Sequence, residues 1–482
     1  MKTLKLTFCI LWVVFIVPLN VVAQNKDVPI TTSSKEALNL FIKGRDKLEN
    51  SEAIAATALL DQAIQKDPNF AMAFLYRSQS GGGFNVSRQY LDKAVNLKDK
   101  VSEGEKNEIL YYQAQADGNE EKEKEYLDLL LKNFPSDKRI QTQVGIYFYG
   151  IKDYLKAIDH FTKAAKLDKN YVPVFNMIGY CQSALENYKE AEKAFQTCIK
   201  LTPNKANPYD SHAELLLKMG KYDESIAQYK MAFEKDPVNL AGSLAGVGHN
   251  YIFEGDYISA RKYYKEYYDK STMPGGKLTA LYWKAVSYLY EGKPDDAVKV
   301  FDEYRELAQK KKLSANLMMS YANQGLILTE TGNPKEGMKY YEKATDEIGK
   351  SKFSKIEMEK YITYSILWRF YTLTAKGDFD KATVEAEKAV QKIKSTNKGD
   401  EMFLNSLLAY SAFKKGNYDE AIQYYSKADR EDPMNWYYNA MAYNKKGDKK
   451  NATKLLEKIT KLNVNSLNLA LVRNRAMEEL KK

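Results

Sequence analysis

The chain has 482 residues, with 73 Lys and Arg against 63 Asp and Glu, giving a formal net charge of +10. Setting aside Lys2 and Lys5 at the N-terminus brings +10 to +8, and the remaining excess is spread as alternating Lys and Glu, as in "EEKEKEYLDLLLK". That pattern describes solvated helix faces and argues against the concentrated basic stripe of a nucleic-acid-binding protein. Three cysteines and three histidines, scattered along the chain, exclude a disulfide framework and give no metal-ligand spacing.

At the N-terminus, Lys2 and Lys5 precede the apolar run "LTFCILWVVFIV" and a Val21, Val22, Ala23 exit, which reads as a signal peptide over residues 1–23 cut after Ala23. The run is short for a membrane span, so an uncleaved anchor is the secondary reading. Cys9 lies inside the apolar run, ahead of any cleavage box, so the chain does not read as a lipoprotein. The expectation is a protein exported to the periplasm or secreted. Residues 24–34 then read as a flexible leader. Within "SSKE", Ser33 with Glu36 three residues later has the capping-box form and places the first helix start there.

From Gly44 to Ile459 a five-part spacing recurs: a small residue, a second small residue twelve on, an aromatic or Leu four further, Ala after three more, and often Pro five beyond. One unit reads Gly44, Ala56, Leu60, Ala63, Pro68; later units read Gly145, Ala157, Phe161, Ala164, then Gly179, Ala191, Phe195, Cys198, Pro203, then Ala213, Ser225, Tyr229, Ala232, Pro237, and finally Ala409, Ala421, Tyr425, Ala428, Pro433. Such a period is the mark of a repeat architecture. Each unit holds two apolar-periodic segments closed by a proline that cannot continue a helix, hence a helix hairpin. Seven turns place a glycine five residues before the second small anchor: Gly220, Gly255, Gly292, Gly332, Gly377, Gly416 and Gly447. Glycine suits the left-handed residue that ends a helix. The facing small residues let the two helices approach, and the aromatic is expected to fill the space toward the neighbouring hairpin. The anchors Ala157, Ala191, Ser225 and Ala260 are 34, 34 and 35 residues apart; through Ala297, Gly337 and Ala382 the interval grows to 37, 40 and 45, which predicts longer helices or loops there. Residues 71–103, with "SGGGFNV" in place of an ordinary turn, read as one degenerate, shortened unit.

The segments "GKYDESIAQYKMAFEKDP", "GNYDEAIQYYSKADREDP" and "ENYKEAEKAFQTCIKLTP" resemble the second half of a tetratricopeptide repeat, and the resemblance runs over residues 35–463. It implies an all-α, right-handed superhelical solenoid of about 11–12 hairpins. The signal end "VVAQNKD" and the Lys, Asn and Tyr-rich composition look similar to exported envelope proteins of Bacteroidota. In the family resembled, first helices line a concave face that binds ligands, commonly peptides. Counting three before, one after and four after each first-helix small residue places Tyr149, Tyr180, His249, Tyr282, Leu289, Leu367, Tyr371, Tyr410, Phe413 and Tyr437 on that face. Tyrosine offers a large face with a polar tip, which suits recognition, although the chain has 37 of them and many serve packing. Members of the family that hold a C-terminal carboxylate do so with a cationic cluster. Here the corresponding places are Asn176, Tyr180, Asp210 and Glu214, with Lys218 alone positive, and such a ligand would be repelled.

No Gly-rich phosphate loop, nucleophile elbow or separate carboxylate pair is present, so the chain reads as non-catalytic and without a cofactor. Cys181 and Cys198 stand where the family resembled has Ala: they are small core residues or an intra-repeat disulfide. The function expected is a protein-protein interaction scaffold of the bacterial cell envelope with a protein or peptide in the groove, and membrane association only through a partner. A glycan-binding module using the groove aromatics is the alternative. The last segment, 464–482, reads as an amphipathic helix capping the exposed face of the final hairpin, with Leu467, Ala470, Leu471 and Met477 inward and Arg473, Arg475, Glu478 and Glu479 on the wet side.

Overall fold

The computed structural model describes residues 27–393 and 398–482; the signal peptide expected over 1–23 lies outside the described residues. Within them the chain forms helices and connecting turns, with no strand. The first six helices are α1 (Lys35–Glu49), α2 (Ala53–Lys66), α3 (Ala71–Gln79), α4 (Phe84–Asn96), α5 (Glu103–Ala116) and α6 (Glu120–Asn133). The middle of the chain carries α7 (Lys138–Gly150), α8 (Tyr154–Leu167), α9 (Val172–Ala184), α10 (Tyr188–Leu201), α11 (Asn207–Lys218), α12 (Tyr222–Lys235), α13 (Ser243–Glu254) and α14 (Tyr257–Lys270). Longer helices follow: α15 (Pro274–Tyr290), α16 (Pro294–Lys310), α17 (Ser314–Glu330), α18 (Pro334–Lys350), α19 (Lys355–Lys376), α20 (Phe379–Ile393) and α21 (Lys398–Lys415). The chain ends with α22 (Tyr418–Tyr425), α23 (Pro433–Lys445), α24 (Lys449–Lys461) and α25 (Leu467–Glu479). Helices α1 to α24 pair consecutively into antiparallel hairpins, and each hairpin packs on the next, so the protein is an all-α solenoid. The wider anchor spacing corresponds to the 17-residue helices α15 to α18 and the 22-residue α19.

The repeating residues make the hairpin for a steric reason. A Cβ on Gly145 would come within 2.4 Å of Phe161, and one on Gly179 within 2.6 Å of Phe195, so each first helix is bare where the aromatic of its own second helix lies. The aromatic was expected to point toward the neighbouring hairpin; it chiefly fills the cleft inside its own. Tyr229 makes the exception, lying on Gly246 of the following hairpin, where an added Cβ would fall within 2.4 Å of its ring. All seven turn glycines have positive φ, from 76° at Gly220 to 95° at Gly332. The same left-handed turn is kept by Ser51, Lys152 and Glu186, at φ of 63°, 62° and 61°, where no glycine marks it.

Both chain ends depart from expectation. Residues 27–34 are fastened to the solenoid rather than free of it. The Val28 backbone N–H donates to Asp137 at 2.9 Å, Thr31 donates from its backbone and hydroxyl to Glu105, and Thr32 and Ser33 donate to Asp67. These carboxylates are buried, Glu105 completely, and buried carboxylates require donors, which this segment supplies. Because Ser33 turns to Asp67, the N-cap of α1 is Ser34, which accepts from the Ala37 N–H at 3.1 Å. Complete capping boxes form instead at Ser102 with Glu105 and at Ser354 with Glu357.

At the other end α25 forms where a helix was expected, with Ser466 as its N-cap, but it does more than cover α24. It lies against α15 and α23 as well as α24, and Leu467, Leu469, Ala470, Leu471, Val472 and Ala476 are all buried. These side chains belong to one apolar core that runs from Ala241 to Ala476, whereas the N-terminal half is divided among smaller clusters. Four consecutive buried positions, 469 to 472, cannot lie on one side of a helix, so α25 is enclosed between elements. Met477, expected inward, is exposed, and Arg473 and Arg475, expected outward, are half-buried. The inner channel is narrow: Lys152, in the turn before α8, reaches Glu431 in the loop before α23 at 2.5 Å.

Candidate functional site

The first helices of successive hairpins set the inner face, and the expected binding residues separate on it into two groups. Tyr149 on α7, Tyr180 on α9 and His249 on α13 line a cavity of about 500 Å³. Its walls also include Asp210, Glu214 and Lys218 of α11 and Tyr229 of α12, and the segment Asn463 to Asn465 passes along one edge. The other seven do not form an open groove. Leu289, Leu367, Tyr371, Tyr410 and Tyr437 are buried, and Tyr282 and Phe413 are half-buried against the same core.

The chain's own C-terminus covers part of the second group. Asn474 of α25 donates to the Tyr290 carbonyl at 2.9 Å. Arg475 pairs with Glu330, the last residue of α17, at 2.7 Å, and its guanidinium stands 4.3 Å from the centre of the Tyr437 ring. Glu330, whose side chain is 1 % exposed, also accepts from the hydroxyls of Tyr371 and Tyr438. Tyr371, Tyr410 and Tyr438 form a ring cluster with centroids 5.2 Å and 4.8 Å apart. The C-terminal helix therefore already occupies part of the aromatic half of the inner face, anchored by one arginine in a buried carboxylate and tyrosine socket. Beside it a smaller cavity of about 260 Å³ remains, lined by Leu367, Trp368, Tyr371 and Tyr410.

The open cavity has a different chemistry. Asp210 and Glu214 are one turn apart on α11, so they share a face. The Tyr180 hydroxyl donates to Glu214 at 3.1 Å, and the Ser243 hydroxyl donates to Asp210. Burial raises the pKa of both carboxyls, at Asp210 against the Ser243 hydrogen bond and at Glu214 against that from Tyr180. Glu214 nonetheless stays in reach of water, and Asp210 is half-buried. Lys218, also on the wall, is engaged by the Ser183 carbonyl at 2.7 Å, and desolvation lowers its pKa. His249 is held neutral. Its Nδ1 lies 2.9 Å from the Tyr264 hydroxyl and 2.8 Å from the Asn465 amide, and burial pushes its pKa down to about 3. Among the described residues no group of three or more His, Cys, Asp or Glu is placed to hold a metal ion, and no helix is long and apolar enough to cross a membrane. Cys181 and Cys198 are free thiols buried in α9 and α10, and burial pushes both up to about 12.

Sequence reasoning found Tyr149, Tyr180 and His249 through helical geometry, and met Asp210 and Glu214 only as residues that disfavour an anionic ligand. It missed Tyr229, Glu330 and the inward role of Arg475. No local signal marks them, since their roles come from contacts with distant hairpins.

A stack of helix hairpins with a lined inner face defines the class: an α-solenoid. Tetratricopeptide repeat family models match residues 172–205, 320–347 and 404–434, and a further model of the same repeat matches 279–308. The chain thus carries tetratricopeptide repeats over these residues. It is 32 % identical over 101 residues to Heat shock protein STI1 of Saccharomyces cerevisiae, a match covering 20 % of this chain and 17 % of the yeast protein. It is 24 % identical over 339 residues to a TPR repeat-containing protein of Methanocaldococcus jannaschii, covering 65 % of this chain and 53 % of the archaeal one. The match thus spans less than a fifth of the yeast protein and about half of the archaeal protein. Among solved structures, a tetratricopeptide repeat protein from Parabacteroides merdae aligns at 14 % identity with a TM-score of 0.34, covering 60 % of this chain and 99 % of that one.

Proposed function

We propose that this protein is a non-catalytic interaction scaffold of the bacterial cell envelope, and that it takes a protein or peptide partner on the inner face between α7 and α13. The observation that carries the reading is the division of that face. Its C-terminal half is largely filled by α25, which leaves about 260 Å³, and the cavity walled by Tyr149, Tyr180, Asp210 and Glu214, of about 500 Å³, is the wider opening. An extended segment fits such a channel, because backbone and side chains can both reach polar groups on the first helices. The pair of carboxylates disfavours a ligand that presents a C-terminal carboxylate. Sugar stacking on Tyr371, Tyr410 and Tyr437 is disfavoured too, since those rings are more than nine-tenths buried and Tyr371 and Tyr410 open only onto the small cavity of about 260 Å³.

A photo-crosslinking residue placed at Tyr149, and in a separate protein at the exposed Val384 of α20, tests the reading in the native cell. The expected result is a discrete crosslinked protein from position 149 and none from 384. Equal labelling from both positions, or none from either, would refute it. Export rests on the N-terminal sequence, and N-terminal sequencing of the cell-derived protein is expected to begin at Gln24.

A further inference from the structure

We propose that the cavity between α9, α11 and α13 receives a cationic side chain, lysine or arginine, of the bound protein; the inference rests on the protein-binding reading above. Lys218 apart, its polar side chains can all accept a hydrogen bond, and the Asn465 amide oxygen is buried without a partner. Tyr180 and Ser243 each satisfy one oxygen of Glu214 and Asp210, which leaves the second oxygen of each carboxylate free toward the cavity. Tyr229 is the independent sign of a missing ligand. It is 6 % exposed, its ring is fixed against Gly246, it lines the cavity beside Asp210 and Glu214, and its hydroxyl has no hydrogen-bond partner among the described residues. The hydroxyl keeps some exposure within the cavity, and an entering donor group would give it the partner that the protein does not.

The one resident cation does not fill this role. Lys218 is held by the Ser183 carbonyl and lies near the Tyr188 ring. His249 is neutral with its Nδ1 already engaged. The raised carboxyl pKa values of Asp210 and Glu214 agree with a site built for a charge that is not there, because a cation would offset the desolvation that raises them. Tyrosine rings on the wall provide the faces over which ammonium and guanidinium groups are favoured. The chain as a whole carries +10, so its general field does not draw a basic ligand in, and recognition of a cation is local to this cavity.

The full chain, probed against an array of short peptides of random sequence, tests the assignment. Bound peptides are expected to carry Lys or Arg at one fixed position. Replacing that residue by norleucine should weaken binding about tenfold, the size of one charge-assisted hydrogen bond. Glu214→Gln, which keeps the side chain's size and its acceptor for Tyr180, should remove the difference between the Lys and norleucine peptides, and Asp210→Asn should do the same. Exchanging Lys for Arg at the fixed position reports which cation is preferred. Peptides that bind without a cationic preference, or a preference that survives in both variants, would overturn the cation site while leaving peptide binding intact. No peptide binding at all, together with no crosslink from position 149, would overturn the protein-binding reading on which the site depends.

Discussion

Arg475→Ala tests whether α25 is held in the inner face by its arginine socket. The substitution removes a guanidinium that is 2.7 Å from Glu330, a carboxylate with a 1 % exposed side chain, and 4.3 Å from the Tyr437 ring. Stranding a buried charge costs about 3–5 kcal/mol. Two features reduce that figure: Arg475 itself is 33 % exposed, and the Tyr371 and Tyr438 hydroxyls still donate to Glu330. Losing the contact with the ring adds about 0.5–1 kcal/mol. The sum is about 3 kcal/mol, charged mainly to the opening of α25, which corresponds to roughly 100-fold faster exchange. Native-state hydrogen exchange should show this acceleration at the amides of Leu469 to Val472, while α3 to α6, distant along a stack of local contacts, keep their protection. Adding Glu330→Gln should restore part of the loss, since the orphaned charge is then gone. Exchange in α25 within about twofold of the unmodified protein would refute the socket, and uniform acceleration along the chain would show a global effect in place of a local latch.

Three further predictions follow from single residues. Glu108 is fully enclosed, and burial raises its pKa to about 7 from an ordinary 4.5; the folded protein therefore binds a proton that the unfolded chain releases, and stability falls as pH rises from 4.5 to 7. Glu108→Gln should stabilise by about 3 kcal/mol at pH 8 and by little at pH 4.5, read as a pH-dependent rise in melting temperature. His249 has the opposite sign: with a folded pKa of about 3 against 6.5, its contribution is intact above pH 6.5 and declines as pH falls toward 3, by up to about 1.4 kcal/mol per unit. The stability difference between the unmodified protein and His249→Gln should therefore shrink on going from pH 7 to pH 5, and a pH-independent difference would contradict a buried neutral ring. Glu186 holds a left-handed turn at φ 61°, so Glu186→Gly should stabilise by about 1 kcal/mol, seen as a higher melting temperature, and a lower one would mean that Glu186 makes a contact worth more than its backbone cost.

The sequence by itself determined the repeat. The distance from Gly145 to Phe161, or from Gly179 to Phe195, is a matter of sixteen residues, and the small residue and the ring that lies on it meet inside one hairpin, so their spacing carries the fold without reference to anything else. The seven turn glycines were legible for the same reason, and the turns at Ser51, Lys152 and Glu186 were not, since their side chains give no sign of positive φ. Only the tertiary structure decided which faces are free. Tyr371, Tyr410 and Tyr437 occupy the inner positions that helical geometry assigns, yet they are buried, Tyr437 against a helix that arrives from the end of the chain and fixes itself to Glu330, 145 residues before Arg475. In the same way residues 28 to 33 are fastened to Asp67, Glu105 and Asp137, the last 109 residues from Val28. Helical periodicity states where a side chain points; whether water, another hairpin or the chain's own terminus stands opposite depends on the closure of the superhelix, and that is set by the sum of small packing angles over all the hairpins.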